Sequence, residues 1–301
     1  IIKDKNMQVN DLMYYNALYR EKNFTKVAKI FGISQPSISS AIKRLENFFQ
    51  IKLVIRGNAQ SELKFTAAGE QLHEHSLSIL NEIDSAKHEL DHLRSRTTTI
   101  GLPPIIKNAY FAQIAMATKE FDRQFNISHM NIYEAGSNSL KQSLIDGDID
   151  IALLGSLGDA IDDKLQIFPF AKTTFYVYMS TKNPLAKNPG LYFEALKEQL
   201  FISLDSSFIH EQAIKLLSRK AGYRPKTFMK TSDVYFLMSL VAENLGIAIL
   251  TNIVKSNHDD IIMVPLLDSS QPTFNVNVAF RKNHVLTTEE RMLMNILSQQ
   301  L

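Results

Sequence analysis

Short polar side chains and two cations crowd into residues 34–45 of this 301-residue chain. Ser34 can cap a helix there, because its hydroxyl accepts from a free first-turn amide, and Pro36 is tolerated in that turn. The apolar residues that recur at helical spacing, and so predict a buried stripe, are Ile38, Ile42, Leu45 and Phe49. The side chains left for the other faces are Gln35, Ser37, Ser39, Ser40, Lys43 and Arg44. Donors, acceptors and cations in front of an apolar stripe are typical of a helix that reads duplex DNA in its major groove.

The segment just before this helix predicts the element that positions it. Residues 23–31 fit a short helix whose apolar side chains face inward, and Gly32 suits the positive φ that often follows a helix end. A short helix, a glycine turn and a second helix form the helix-turn-helix pattern. The same spacing fits any small helical hairpin, so the pattern alone leaves both interpretations open.

Five short runs carry a specific family resemblance. They are residues 23–28, 33–39, 42–46, 53–56 and 65–70, with the sequences NFTKVA, ISQPSIS, IKRLE, LVIR and FTAAGE. Together they resemble the DNA-binding end of the LysR-type transcriptional regulators. The resemblance implies a winged helix-turn-helix whose DNA contacts are Thr25, Ser34, Gln35, Pro36, Ser37, Ser39, Ser40, Lys43, Arg44 and Arg56. Ser40 stands where the family usually has a basic residue, and Val54 and Ile55 replace a common Phe-Glu pair; these departures bear on the operator sequence, not on the binding mode.

Composition separates the amino-terminal part from the rest. Residues 1–65 hold 11 basic and 5 acidic side chains, whereas the remainder holds 22 basic and 26 acidic ones. A basic module on a mildly acidic body suits a nucleic-acid partner for the first part only. The chain has no cysteine, which excludes disulfides and thiolate metal sites. Neither an apolar run of membrane-spanning length nor a signal peptide is visible, so we expect a cytoplasmic protein without a membrane partner.

A hairpin and a long helix follow the predicted recognition helix. Residues 53–65 have two β-prone ends around a polar turn and predict the wing, with Arg56 and Lys64 facing the DNA backbone or minor groove. Thr66 can cap a helix that runs to about Arg94. Its apolar positions alternate in steps of four and three, which predicts a heptad seam and a homodimer. The seam positions are Leu72, Ser76, Ile79, Ile83, Ala86, Leu90 and Leu93.

The remaining two thirds alternate between predicted strands and helices, which favours parallel sheets with helices on both faces. Residues 146–154, 183–186 and 242–250 resemble landmarks of the LysR effector domain, which folds like a periplasmic binding protein. The resemblance implies two α/β lobes joined by crossovers near residues 171–174 and 267–271. The fold class is therefore a multi-domain α+β protein. Its predicted parts are a winged helix-turn-helix at 7–65, a linker helix at 66–94, a hinge at 95–98 and an effector domain at 99–301. Lobe 1 covers about 99–171 and 269–301, and lobe 2 covers about 172–268.

Hydroxyl and amide groups follow several predicted strands of the effector domain. In open α/β sheets small molecules bind beyond the carboxyl ends of strands, where helix amides can hold an anion. By similarity the effector sits between the lobes on these segments. The candidate effector contacts are Pro104, Ile105, Gly136, Ser137, Asn138, Asp205, Ser206, Phe208 and Thr231. Each serine would also serve as a helix cap, and the two roles are compatible.

Other candidate chemistry gives no support for an enzyme. Asp148 and Asp150 are spaced to point the same way on a strand, but acids before a buried strand usually shape a turn. His88 and His92 lie one turn apart on the outer side of the predicted seam, which favours a solvated face over a metal pair. Neither a phosphate-binding glycine loop nor a nucleophile elbow is present. We therefore expect no catalytic residue, metal or cofactor.

The combination of a helix-turn-helix, a heptad helix and a two-lobed body predicts a sequence-specific transcriptional regulator. Its partners would be an inverted-repeat operator in double-stranded DNA, RNA polymerase and a small organic effector. The resemblance also implies a tetramer built from linker-helix dimers. Residues 24–28 and 37–46 are most similar to regulators of malolactic fermentation in lactic-acid bacteria, which suggests a dicarboxylate such as malate. The alternatives are a solute-binding protein, which would need an export signal, and an enzyme with a borrowed DNA-binding head.

Overall fold

A computed structural model describes residues 7–55, 63–95, 97–121, 129–269 and 271–299. The chain divides into two compact units, an amino-terminal unit, Ile1–Lys87, and a carboxy-terminal unit, His88–Leu301. Within the described ranges, every helix is too short or too polar to cross a lipid bilayer.

Three helices form the core of the amino-terminal unit: α1 (Val9–Glu21), α2 (Phe24–Phe31) and α3 (Gln35–Phe49). Ile38, Ile42 and Leu45 are buried on α3 as the spacing predicts, but Phe49 is 41% exposed, so its predicted burial is wrong. Val9 and Met13 are also exposed. The buried side of α1 instead holds Asp11, Leu12, Tyr15, Asn16, Ala17 and Leu18.

The predicted hairpin is present as two short antiparallel strands, β1 (Val54–Ile55) and β2 (Lys64–Phe65). The turn between them, residues 56–62, lies outside the described residues, and Arg56 lies there with it. Thr66 caps the next helix, α4 (Ala67–Ser95), because its Oγ1 accepts from the Gly69 amide at 3.0 Å. The same hydroxyl donates to the Lys52 carbonyl at 2.7 Å, which ties the start of α4 to the hairpin.

The predicted seam on α4 divides into two parts. Leu72 and Ser76 are buried in the core of their own unit, and Ser76 donates to the Asn16 side chain at 2.7 Å. Farther along, Ile79 is 43% exposed and Leu90 is 65% exposed. Only the later part of the stripe is thus free to contact a second chain. Of the other predicted positions, the Leu93 side chain lies outside the described residues.

The carboxy-terminal unit contains two groups of strands, which we call the first and second lobes. The strands are β3 (Thr98–Leu102), β4 (Met130–Glu134), β5 (Ile151–Leu157), β6 (Leu165–Thr173), β7 (Phe175–Ser180), β8 (Leu200–Leu204), β9 (Lys226–Thr231), β10 (Ala248–Thr251), β11 (Ile261–Pro265) and β12 (Phe274–Arg281). The helices are α5 (Pro104–Phe121), α6 (Ser137–Asp146), α7 (Ile209–Ala221), α8 (Val234–Ala242) and α9 (Thr288–Gln299). The predicted hinge, 95–98, overlaps the end of α4 and the start of β3.

The prediction of parallel sheets is only partly correct, because antiparallel pairs occur in both lobes. The first lobe has the strand order β4-β3-β5-β12-β6, in which β3 is parallel to its neighbours and β12 is antiparallel to both of its own. In the second lobe β10-β7-β11 is antiparallel and β8-β9 is parallel. The chain leaves the first lobe between β6 and β7 and returns between β11 and β12. Thr173 pairs with Phe274, so the two crossings lie side by side.

Asp148 and Asp150 do not point the same way. Asp148 is exposed, whereas Asp150 is 1% exposed and its Oδ2 accepts from the Thr99 amide at 2.7 Å. The strand spacing assumed for them fails because β5 begins only at Ile151, after the turn that contains both acids. Asp150 therefore fixes the turn to the start of β3, consistent with the expected role of these acids in shaping a turn.

Candidate nucleic-acid interface and ligand cleft

The start of α3 is fixed by local signals in the sequence. Gly32 has a φ of 65°, the left-handed conformation that ends α2, and Ser34 Oγ accepts from the Ser37 amide at 3.3 Å. The hydroxyls of Ser34 and Ser37 are also 2.8 Å apart. These contacts set where α3 begins and so determine which side chains leave its outer face.

That outer face collects most of the predicted DNA contacts. Gln35, Ser37, Ser40 and Lys43 are exposed along α3, and Gln35 Nε2 donates to the half-buried Ser39 at 3.0 Å. Ser34, Pro36 and Thr25 are exposed as well. The structure thus brings the short polar residues and one free cation to one surface of the amino-terminal unit.

Arg44 is placed differently from the prediction of a DNA contact. Its Nε and Nη2 donate to the carboxylate of Asp11 at 3.0 and 2.5 Å, and the Asp11 side chain is fully buried. The hydrogen bonds that it donates to Asp11 raise the pKa of the guanidinium above its already high ordinary value. Arg44 therefore joins α3 to α1. Asp11, which the sequence analysis missed, could have been suspected as a lone acid on an otherwise apolar helix side.

The predicted effector segments meet at the junction of the two lobes. A Cβ on Gly136 would lie 2.3 Å from the Ser207 carbonyl oxygen, so the start of α6 touches the segment before α7. Ile105 packs in one apolar cluster with Leu204 and Phe208. Segments far apart in sequence are therefore adjacent, as a ligand cleft between lobes requires.

The polar side chains of these segments already have partners within the protein. Ser137 Oγ accepts from the Gly155 amide at 2.9 Å, and Asp205 Oδ1 accepts from the Ser207 amide at 2.9 Å. Thr231 Oγ1 accepts from the Asp233 amide at 3.0 Å. Ser206 and Asn138 are exposed. Asp205 and Thr231 thus shape local turns, whereas Ser137 joins the start of α6 to β5 and does not cap the helix.

Two cavities in this unit were not predicted. One of about 300 Å³ borders Ile105 and is lined on its polar side by Tyr235, Lys255 and His258. The other, of about 760 Å³, lies between α7 and β9. Its lining includes Glu211, whose hydrogen bonds from Lys215 and Lys230 at 2.7 and 2.6 Å lower the carboxyl pKa.

Asp150, His284 and Glu290 form a cluster whose potential ligand atoms lie within 4.8 Å of one another. His284 Nε2 lies 2.9 Å from Glu290 Oε2, and the Thr287 amide donates to that same oxygen at 2.8 Å. His284 Nδ1 faces Glu89 near the end of α4 at 3.3 Å, and Glu89 also binds Arg281. The cluster is therefore part of an ion-pair network that joins α4, β12 and α9. The exposed His88 lies apart from it, 3.8 Å from Asp148.

Comparison with protein families gives two matches. The model of bacterial regulatory helix-turn-helix proteins of the lysR family matches residues 9–70, and the LysR substrate binding domain matches residues 91–301. The malolactic fermentation system transcriptional activator of Lactococcus lactis subsp. lactis is 32% identical over 97% of this chain and 98% of the relative. The uncharacterized HTH-type transcriptional regulator YwbI of Bacillus subtilis is 28% identical over 95% of this chain and 94% of its own.

Solved structures share the fold. A Corynebacterium glutamicum OxyR C206 mutant matches 99% of this chain and 94% of its own with a TM-score of 0.58 at 21% identity. The effector-binding domain of QuiR in complex with shikimate matches 67% of this chain and 95% of its own with a TM-score of 0.60 at 14% identity. These likenesses confirm a fold with an amino-terminal helix-turn-helix and a two-lobed α/β body.

Proposed function

The chain belongs to the LysR family of bacterial transcriptional regulators, and we propose that its α3 helix reads operator DNA under the control of a small carboxylate. It is a DNA-binding regulator rather than an enzyme. In this proposal its parts are the winged helix-turn-helix at 7–65, the linker helix at 66–94, the hinge at 95–98 and the effector domain at 99–301. The regulator would act in the cytoplasm, together with DNA and RNA polymerase.

The outward face of α3 is the observation that supports this DNA-binding mode. Gln35, Ser40 and Lys43 are exposed while Ile38 and Ile42 are buried behind them. Base edges are read by such donors and acceptors, and phosphates by the cation. Arg44 takes a supporting role in this proposal, since it holds α3 against α1 through Asp11.

Lys43→Ala is expected to weaken binding to the chain's own upstream DNA. Lys43 is proposed as a phosphate contact, so its loss should lower the slope of log affinity against log salt by about 1. Gel-shift titrations at salt concentrations from about 50 to about 200 mM measure this slope.

Lys226→Ala is the matched control, because Lys226 lies on β9 and pairs with Glu198 at 3.0 Å. This variant should keep the affinity and slope of the wild type. If Lys43→Ala binds DNA with an unchanged salt slope, the assigned recognition face is wrong. Loss of sequence preference in Gln35→Ala, at an unchanged slope, would assign base readout to the same face.

The exposed part of the seam on α4 supports a homodimer, which would place two recognition helices on an inverted repeat.

A second contact, between carboxy-terminal units, would complete the tetramer. Strand β9 is an edge strand with Phe228 48% and Met229 37% exposed. In the sheet of the first lobe, the edge strand β4 exposes Ile132 and Tyr133. Unpaired edges with apolar side chains favour association with another chain.

Ile79→Lys combined with Leu90→Lys is expected to dissociate the linker-helix dimer, because two charges would enter an apolar seam. Sedimentation velocity at micromolar concentration measures the loss of mass. Leu77→Lys is the matched control: Leu77 is 40% exposed on the same helix but off the seam, so the assembly should persist. An unchanged mass in the double variant would contradict dimerisation through α4.

The effector of this proposal is a small organic acid, with malate as the first compound to test. The support is the similarity to an activator of a malolactic fermentation system, together with the converging cleft segments of the two lobes. The effector would shift the population of lobe geometries and, through α4, the contact with RNA polymerase. The similarity favours activation of transcription.

A further inference from the structure

His210 is a buried polar side chain without a polar partner. It lies in the first turn of α7 and is 2% exposed. Within the part of the chain that the structure describes, neither of its ring nitrogens has a hydrogen-bond partner. Its neighbours are two aromatic rings, Phe274 at 5.3 Å and Phe175 at 5.7 Å between centroids.

A histidine in this position costs stability. Burial lowers the pKa of His210 to about 3, so the ring is uncharged at neutral pH. A neutral imidazole still has one N–H donor and one acceptor nitrogen, and both lose hydration without compensation when they are buried. Phenylalanine would fill similar space without that cost. Buried polar groups left unsatisfied in this way are a sign of a functional position.

The location of His210 indicates which function. Phe175 begins β7 and Phe274 begins β12, so both rings stand where the chain crosses between the lobes. Three residues before His210, the Ser207 carbonyl meets Gly136 of the first lobe. Phe274 also packs against Gly155, whose amide donates to Ser137. The imidazole therefore lies at the base of the junction where the candidate effector segments converge.

We propose that His210 is the polar group that binds the effector, and that the effector is a small hydroxycarboxylate. One ring nitrogen would face the effector, so that the imidazole N–H donates to a carboxylate oxygen or the bare nitrogen accepts from a hydroxyl group. Phe175 and Phe274 would contact the carbon skeleton and exclude water. This inference rests on the proposed effector control and names its residue and ligand class.

The enclosed position of His210 also explains how binding alters the lobes. The ring is 2% exposed in the arrangement in which Gly136 lies against Ser207, so in this proposal a ligand reaches it in an arrangement that separates the lobes. The ligand then binds one arrangement of the lobes more tightly than the other, which is the requirement for a shift of populations. A ligand bound at the rim of the cleft would not carry this coupling.

The test uses thermal unfolding of the full-length protein followed by circular dichroism. His210→Phe is expected to melt about 2–4 °C above the wild type, because an unsatisfied polar group is removed. Tyr178→Phe is the matched control, for which the expected change in melting temperature is in the opposite direction. The Tyr178 hydroxyl donates to the carbonyls of Thr251 and Val254 at 2.8 and 2.7 Å, so its removal should lower the melting temperature.

The second part of the test measures melting temperatures with added ligand. L-malate, citrate and shikimate are the hydroxycarboxylate probes. Succinate lacks the hydroxyl group of malate, and dimethyl malate lacks its free carboxylates. At least one hydroxycarboxylate should raise the melting temperature of the wild type and of Tyr178→Phe by mass action. His210→Phe should bind that probe at least about tenfold more weakly, and His210→Gln, which keeps a donor and an acceptor, should retain part of the response.

Two outcomes overturn the inference. An equal response of wild type and His210→Phe would remove His210 from the site while leaving a carboxylate effector in place. A wild type that responds to none of the three hydroxycarboxylates, or responds equally to dimethyl malate, would overturn the ligand class. Neither outcome affects DNA binding, which the gel-shift titrations judge separately.

Discussion

Replacing Arg44 with methionine is expected to destabilise the amino-terminal unit by about 2–4 kcal/mol, because the carboxylate of Asp11 would remain buried without its cation. Breaking a fully buried pair costs about 3–5 kcal/mol. The Arg44 side chain is 38% exposed, so solvent screens part of the interaction and the lower range applies. Urea unfolding followed by circular dichroism measures the change, since the chain has no tryptophan.

The double variant Asp11→Asn with Arg44→Met is the control. Asparagine keeps the shape of Asp11 and an acceptor for the Gln8 amide, which donates to Asp11 at 3.1 Å. Removing both charges should therefore restore most of the lost stability. A double variant as unstable as Arg44→Met would show that the pair is not the cause.

The same double variant decides the role of Arg44 in DNA binding. If Arg44 only positions α3, gel-shift affinity should fall in Arg44→Met and recover in the double variant together with stability. If affinity stays low in the stable double variant, Arg44 contacts DNA directly, as the family resemblance implies. Stability and affinity thus separate a positioning residue from a contact residue.

Local signals account for what the sequence predicted correctly. The caps at Ser34 and Thr66, the turn at Gly32 and the buried positions Ile38 and Ile42 each depend on neighbours within about four residues, where spacing alone determines the contact. The exposed face of α3 follows directly from the buried one. The nucleic-acid surface was therefore predictable in outline.

Long-range pairings account for the errors. Asp11 meets Arg44 across 33 residues, and nothing in the local pattern of α1 or α3 indicates that contact. The antiparallel direction of β12 depends on the path of the chain, not on the composition of the strand. Strand β6 contains Pro169, a residue that argues against a central strand from sequence alone, and it lies at the edge of its sheet.

The ligand cleft was predictable only as a set of segments. The resemblance placed residues 103–105, 136–139 and 204–208 together, and the structure brings Gly136 against Ser207. The resemblance did not indicate that Ser137 and Asp205 would form hydrogen bonds within the protein, because such contacts and ligand binding require the same residue types. His210 went unnoticed, since a histidine among apolar residues at helical spacing looks like an ordinary core position.

Within the carboxy-terminal unit, a network around His284 joins the end of α4 to β12 and α9, and no sequence pattern indicated it. His284 is 6% exposed in its side chain and faces Glu290 at 2.9 Å and Glu89 at 3.3 Å. Arg281, on β12, forms an ion pair with Glu89. A carboxylate oxygen of Asp150 lies within 4.8 Å of a ring nitrogen of His284 and a carboxylate oxygen of Glu290. Both ring nitrogens face carboxylate oxygens, so only the imidazolium donates to both.

This geometry sets the sign of the pH dependence. Burial lowers the pKa of His284, but the hydrogen bonds that its ring donates to Glu290 and Glu89 outweigh burial and leave the pKa raised above its ordinary 6.5. Burial raises the pKa of Glu290, yet the hydrogen bonds from His284 and Thr287 leave it lowered below 4.5. The contribution of His284 is therefore complete below about pH 6.5 and is lost as pH rises through its folded pKa, whereas that of Glu290 is lost only in acid.

The carboxy-terminal unit is accordingly expected to lose about 1.5–3 kcal/mol of stability as pH rises from 6 toward 9, because the charged hydrogen bonds of His284 disappear. Melting temperatures measured across that range should fall in the wild type and stay nearly level in His284→Gln. His88→Gln is the control, since His88 is half exposed and 3.8 Å from Asp148, and it should follow the wild type. Parallel curves for wild type and His284→Gln would mean that a neutral imidazole holds Glu89 and Glu290 equally well. In that case the ion pair between Arg281 and Glu89 is sufficient to join the end of α4 to β12, and this contact does not depend on pH in this range.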